Sequence, residues 1–165
     1  MGVSPVCAAM KPVYPLASIS RRLRWTRLFV HVMFKPCRLR EEIMIGYVTV
    51  GVRDLDRAGK FYDAIAEELG TPRMFTTDTF IAWGTPDGAA GIGVCYPYDG
   101  NPMSVGNGGM VALQAKDKAQ VDRIYNLAIS LGATDEGPPG PRGDTFYAGY
   151  FRDPDGNKLN AFVMG

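Results

Sequence analysis

Gly46-Tyr47-Val48-Thr49-Val50-Gly51-Val52-Arg53-Asp54 and Gly109-Met110-Val111-Ala112-Leu113-Gln114-Ala115-Lys116-Asp117 are two versions of one pattern. Set one above the other, the Gly, Val and Asp coincide, Arg53 matches Lys116, and the apolar positions track one another. The register runs on, with Lys60 over Arg123, Phe61 over Ile124, Tyr62 over Tyr125 and Asp63 over Asn126. One residue of slip then brings Leu69-Gly70 over Leu131-Gly132. An internal repeat of this length means that one supersecondary unit is used twice.

Each copy opens with a short strand whose apolar residues alternate. Asp54 and Asp117 follow as helix N-caps, their carboxylates accepting free amide hydrogens of the first turn. Gln120 completes a capping box with Asp117. The helices carry one apolar stripe each: Leu55, Ala58, Phe61, Tyr62, Ile65 and Leu69, then Val121, Ile124, Tyr125, Ala128 and Leu131. Gly70 and Gly132 supply the left-handed residue that ends them. Three strands are expected after each helix: 73–76, 79–84 and 91–96, then 133–136, 145–152 and 158–163. Pro86-Asp87-Gly88 turns one hairpin, and Asp153-Pro154-Asp155-Gly156-Asn157 turns the last. The fold class is therefore α+β, two βαβββ modules (44–100 and 109–165) forming a curved, half-open barrel whose hollow is the natural ligand site.

Two stretches carry a family resemblance. Val52-Arg53-Asp54-Leu55, followed by Phe61-Tyr62 and Leu69-Gly70, resembles the opening of vicinal-oxygen-chelate proteins, the superfamily of glyoxalases, bleomycin-resistance proteins and extradiol dioxygenases. Phe151-Arg152-Asp153-Pro154-Asp155-Gly156-Asn157-Lys158-Leu159 resembles their closing hairpin. The likeness spans 44–165. Fold does not fix function here, because the superfamily holds isomerases, lyases, dioxygenases, transferases and plain drug-binding proteins. The resemblance implies that metal-dependent members place a His, Glu or Gln near the second residue of each module's first strand and another on its last strand. The matching positions are Tyr47 and Met110, then Val94 (to within a residue or two) and Asn160. A phenol, a thioether, an isopropyl group and an amide make no divalent metal site, so neither metal nor cofactor is expected.

The other candidates come from strand alternation. Trp83, Tyr96, Tyr150 and Phe162 are expected to line the cleft with Tyr47, Val94, Met110 and Asn160, Tyr150 pairing with Asn160. Arg142 follows the flexible run Gly137-Pro138-Pro139-Gly140-Pro141 and is placed to close over an anionic ligand. Asp153, Asp155 and Asn157 read as a turn, because the distal Glu of a calcium loop is absent. Cys95 has no neighbouring base to make it a nucleophile. Asp78, Asp87, Asp99 and Asp135 are the carboxylates left as alternative ligands. No catalytic residue is assigned. A small aromatic or amphipathic molecule bound in a metal-free cleft is the leading expectation; a glyoxalase-like lyase or isomerase, or a dioxygenase, is the alternative.

The leading 43 residues differ in character. They hold eight Lys/Arg against Glu41 and Glu42, a net +6, whereas 44–165 carries ten basic and fifteen acidic residues, a net −5. An acidic domain is a poor partner for phosphate backbones, so nucleic acid is not expected. The only histidine, His31, lies in the leading segment, which removes Ser-His-Asp and Cys-His catalysis from the domain. Cys95 alone lies beyond residue 43, so no internal disulfide is possible there and a cytoplasmic, reducing setting is expected. The apolar run 28–34 is too short to span a bilayer. The leader resembles a transit peptide in composition; a signal peptide lacks support, and translated upstream sequence before a start at Met44 is the preferred reading. A loosely helical or disordered state is expected for it. Homodimerisation is expected from the family resemblance.

Overall fold

The computed structural model describes residues 44–85 and 90–165. The leading segment, Asp87 and the Pro86-Asp87-Gly88 turn lie outside the described residues.

The first module runs β1 (Tyr47–Gly51), α1 (Leu55–Leu69), β2 (Arg73–Thr76), β3 (Phe80–Trp83) and β4 (Gly91–Cys95). The second runs β5 (Val111–Gln114), α2 (Lys118–Ser130), β6 (Thr134–Pro141), β7 (Phe146–Arg152) and β8 (Lys158–Met164). Strand order is β1-β4-β3-β2 in one sheet and β5-β8-β7-β6 in the other. In each, the first strand pairs parallel with the last, and the remaining pairings are antiparallel. The two sheets are not joined into a closed barrel, as the half-open fold class requires.

Local chemistry sets the helix ends. Asp54 accepts from the Arg57 amide at 2.9 Å and Asp117 from the Gln120 amide at 2.7 Å. Gln120 folds back to the Lys116 amide, one residue before the cap, while its Nε2 donates across to the Glu68 carbonyl at 2.6 Å. The second capping box therefore also ties α2 to α1. Gly70 closes α1 at φ 71°, a left-handed conformation that a Cβ disfavours.

One face of each sheet is covered by its helix. Val50, Ile81, Trp83, Ile92 and Val94 of the first sheet and Val111, Leu113, Phe151, Leu159 and Ala161 of the second join the helices in one apolar cluster, with α1 packed on β3 and β4 and α2 on β7 and β8. Each fully buried side chain of this kind contributes about 1.5–3 kcal/mol. Successive strand residues point to opposite faces, so Tyr47, Thr49, Phe80, Ala82 and Gly93 fall on the helix-free side of the first sheet. Ala112, Gln114, Ala148, Tyr150, Asn160 and Phe162 fall on that side of the second. We call this the open face.

A buried polar bolt joins the modules. Asp153 Oδ1 accepts from the Asp155 and Asn157 amides at 2.9 and 2.8 Å. Its Oδ2 accepts from Tyr62 Oη and Asn157 Nδ2, both at 2.9 Å. Asn157 Nδ2 also donates to the Gly51 carbonyl at the end of β1. Asp155, only 2 % exposed at its side chain, takes ion pairs from Arg53 and Arg57. The turn residues of the last hairpin thus hold the start of α1 and the end of β1.

One expected loop is a strand. Gly137-Pro138-Pro139-Gly140-Pro141 forms the second half of β6, pairing Gly137 with Tyr150 and Gly140 with Ala148 across two register shifts. Prolines fit there because β6 is an edge strand and the shifts leave unpaired positions.

Candidate functional site

The hydrogen-bond register decides which residues share the open face. Val48 pairs with Ile92 in the first module, and Val111 pairs with Leu159 in the second. Since Val48 and Val111 are equivalent, the residue matching Asn160 is Gly93, not Val94. This corrects the sequence expectation: Val94 is fully buried against α1. A methyl group built on Gly93 would lie 2.6 Å from Cζ of Phe80, whose ring occupies that space.

Trp83 is also turned to the helix side. Its Nε1 donates to Asp63 Oδ1 at 2.8 Å, Tyr62 lies against it at 5.5 Å, and the Arg73 guanidinium caps the ring. Burial alone would raise the Asp63 carboxyl, but hydrogen bonds from Arg73 and Trp83 and the Arg73 charge outweigh it and hold the carboxyl below its usual range. Trp83 does border a crevice of about 630 Å³, which lies between α1, Val48 and the edge of β5 and is lined by Ile65, Leu69 and Leu113 among others. Phe162 reaches the same crevice from the second module. Tyr96 follows β4, and its hydroxyl accepts from the Leu55 amide at 3.2 Å, so it caps α1 instead of lining the open face.

Tyr47 and Met110 keep to the open side by alternation and are 66 % and 46 % exposed. Tyr150 and Asn160 pair directly, as expected. Phe162 stacks on Phe146 with centroids 5.4 Å apart, and Phe75 meets Phe80 at 6.1 Å on the first sheet. Sequence reading missed Phe75, Phe80 and Phe146; the same alternation that placed Phe162 contained them. Arg142 lies over the Tyr150 ring at 5.6 Å and Lys158 at 5.9 Å.

Asn160 is 1 % exposed, and its Oδ1 is the one buried side-chain polar atom without a hydrogen-bond partner among the described residues. An unpaired buried acceptor costs about 1–3 kcal/mol, so this is the polar defect of the site. Two of the candidate carboxylates are committed elsewhere. Asp135 accepts from Tyr125 Oη and the Gly137 amide, and Asp99 from Asn101. Burial pushes the Cys95 thiol up, away from nucleophilic thiolate. Among the described residues no three His, Cys, Asp or Glu side chains gather where they could hold an ion. At the four positions where the resemblance would put metal ligands, with Gly93 taken in place of Val94, stand a phenol, a glycine, a thioether and an amide. That donor set does not fit a divalent metal centre of the family type.

The family model for the glyoxalase/bleomycin resistance protein/dioxygenase superfamily matches residues 44–161. This chain belongs to that superfamily. Among solved structures, a glyoxalase/bleomycin resistance protein from Albidiferax ferrireducens T118 is 37% identical, covering 73% of this chain and 98% of its own, with a TM-score of 0.68. A glyoxalase/bleomycin resistance protein/dioxygenase family enzyme from Burkholderia phytofirmans PsJN is 20% identical over 73% and 98%, TM-score 0.60. Lactoylglutathione lyase from Agrobacterium tumefaciens is 22% identical over 72% and 91%, TM-score 0.54, and so shares the fold. No curated protein matches the sequence. Among the described residues no helix is long and apolar enough to cross a membrane.

Proposed function

We propose that this superfamily member binds a small aromatic or amphipathic molecule on its open face without a metal ion, as bleomycin-resistance members sequester their ligands. One observation carries the reading. Where metal-dependent relatives keep a ligand on the last strand, this chain has a buried amide oxygen with no donor, beside the Phe146–Phe162 stack. A bound molecule that stacks on the phenylalanines and donates a hydrogen bond to Asn160 would satisfy the one buried unpaired acceptor among the described residues. The chemistry is recognition: aromatic surface supplies area, and the single acceptor fixes orientation.

The test combines metal analysis with binding. Protein purified without an affinity tag is expected to hold well under one equivalent of transition metal. The uncharged fluorophore N-phenyl-1-naphthylamine is expected to bind saturably, and Phe162→Ala to weaken it about tenfold. Stoichiometric metal would refute the metal-free reading and favour a lyase, isomerase or dioxygenase. Absence of saturable binding would refute the ligand class.

A further inference from the structure

The corner of the second sheet around Tyr150 is built differently from the rest of the open face. Arg142 bends back over β6, donating from Nη2 to the Pro138 carbonyl at 2.8 Å and from Nη1 to the Pro141 carbonyl at 3.2 Å. Those bonds use one hydrogen on each terminal nitrogen. Of the five guanidinium hydrogens, three are left for another partner. Among the described residues Arg142 has no carboxylate within ion-pair distance, unlike Arg53, Arg57, Arg73, Arg123 and Arg152.

Its seat is shaped by two glycines. A methyl group at Gly140 would come within 3.1 Å of Arg142 Nη1, and one at Gly137 within 3.4 Å of Nη2 and 3.6 Å of the Tyr150 ring. The absence of both side chains lets the guanidinium lie close to β6 and over Tyr150. Lys158 approaches the same ring, but its charge is answered: it pairs with Glu136 Oε2 at 2.7 Å, and Arg152 binds the other oxygen. Hydrogen bonds from Lys158 and Arg152 hold Glu136 below the usual carboxylate range. Arg152 and Lys158 thus share Glu136, and Arg142 is the cation of this corner left without a carboxylate among the described residues. Asn160, directly opposite Tyr150, has an unpaired acceptor that calls for a donor on the ligand and not for its anionic group.

From this placement we infer that the ligand carries an anionic group, a carboxylate or one of its oxyanion equivalents, held by Arg142 at the edge of Tyr150 while the aromatic part lies on the phenylalanine stack. The inference rests on the proposed ligand-binding reading and narrows its chemical class to aromatic anions. Planar oxyanions match the fork of a guanidinium, and a cation already braced by two carbonyls loses little freedom on binding one.

Two probes of one ring system separate the claims: N-phenyl-1-naphthylamine, and 1-anilinonaphthalene-8-sulfonate, which adds a single negative charge. The sulfonate is expected to bind about tenfold more tightly than the uncharged probe at low salt, an advantage that salt erodes. Arg142→Gln should abolish the advantage, the sulfonate falling to the affinity of the uncharged probe. Gly140→Ala, which keeps the charge but crowds its seat, should reduce the advantage. Equal affinities for the two probes, or an advantage that survives Arg142→Gln, would overturn the anionic class and leave the binding reading standing. Failure of both probes to bind would overturn both.

Discussion

Replacing Asp153 by alanine tests whether the buried bolt between the modules holds the domain together. Four donors converge on this one carboxylate, which is only 3 % exposed. Two are amides of its own turn, and these can reach water once the turn loosens. The other two are Asn157 Nδ2, which keeps its bond to the Gly51 carbonyl, and Tyr62 Oη, which is left facing a methyl group in a buried setting. The unpaired phenol costs about 1–3 kcal/mol, the two turn amides lose bonds to a charged acceptor worth about 1.5–3 kcal/mol each, and relief from holding a buried charge returns part of that. The expected net loss is about 3–5 kcal/mol, a large share of the 5–15 kcal/mol typical of a domain. In urea, with a slope of about 1–3 kcal/mol per molar, the midpoint followed by far-ultraviolet circular dichroism should drop by more than about 1 M. Tyr62→Phe supplies the control, since it removes one donor cleanly. Combined with Asp153→Ala it should add much less than its separate effect, because the partner is already gone. A loss under about 1 kcal/mol, or strict additivity of the two substitutions, would show that the carboxylate is not a structural link.

Burial, followed by the charge and hydrogen bond of Asp153, pushes the Tyr62 phenol well above its usual range. A group raised in the folded state contributes stability fully present below its unfolded pKa of about 10 and lost as pH rises beyond it. Alkaline unfolding above about pH 10 should therefore be shallower in Tyr62→Phe than in the parent, and an unchanged alkaline limb in a pH series of melting curves would contradict this. Asn160→Leu removes the unpaired acceptor at similar volume and should raise stability by about 1 kcal/mol, or roughly 3–6 °C in Tm, while weakening N-phenyl-1-naphthylamine binding; destabilisation in calorimetry would mean that Asn160 is satisfied in solution. Gly93→Ala forces the Phe80 ring aside and should cost about 1–3 kcal/mol in denaturant unfolding, whereas the same change at Gly46, where nothing lies within 4 Å, should cost less.

The duplication, the caps at Asp54 and Asp117, and the order of strands were all legible in the sequence because they are local signals repeated in register. The face of β4 was also written there: Gly91, Gly93 and Cys95 alternate with Ile92 and Val94, small residues on one side and branched ones on the other. Reading it requires the pairing with β1, since a one-residue shift exchanges the faces. Trp83 misled for a related reason, an aromatic strand residue being at home on either side. The proline-glycine run of β6 carried loop composition, and only its pairing with β7 shows that an edge strand tolerates it. The bolt was out of reach for a different reason. Asp153 sits in an ordinary turn motif, and its partner Tyr62 is 91 positions away with nothing local to announce it.

Duplicated halves would give a ligand two equivalent ways to lie, related by the internal pseudo-symmetry. The mismatch between Gly93, covered by a phenyl ring, and Asn160, buried with an unpaired acceptor, would remove that degeneracy. On the proposed reading a guest would have one end to be recognised and one end to be merely accommodated, so it would enter in a single sense, with chemical variety tolerated at the first module's end and refused at the second.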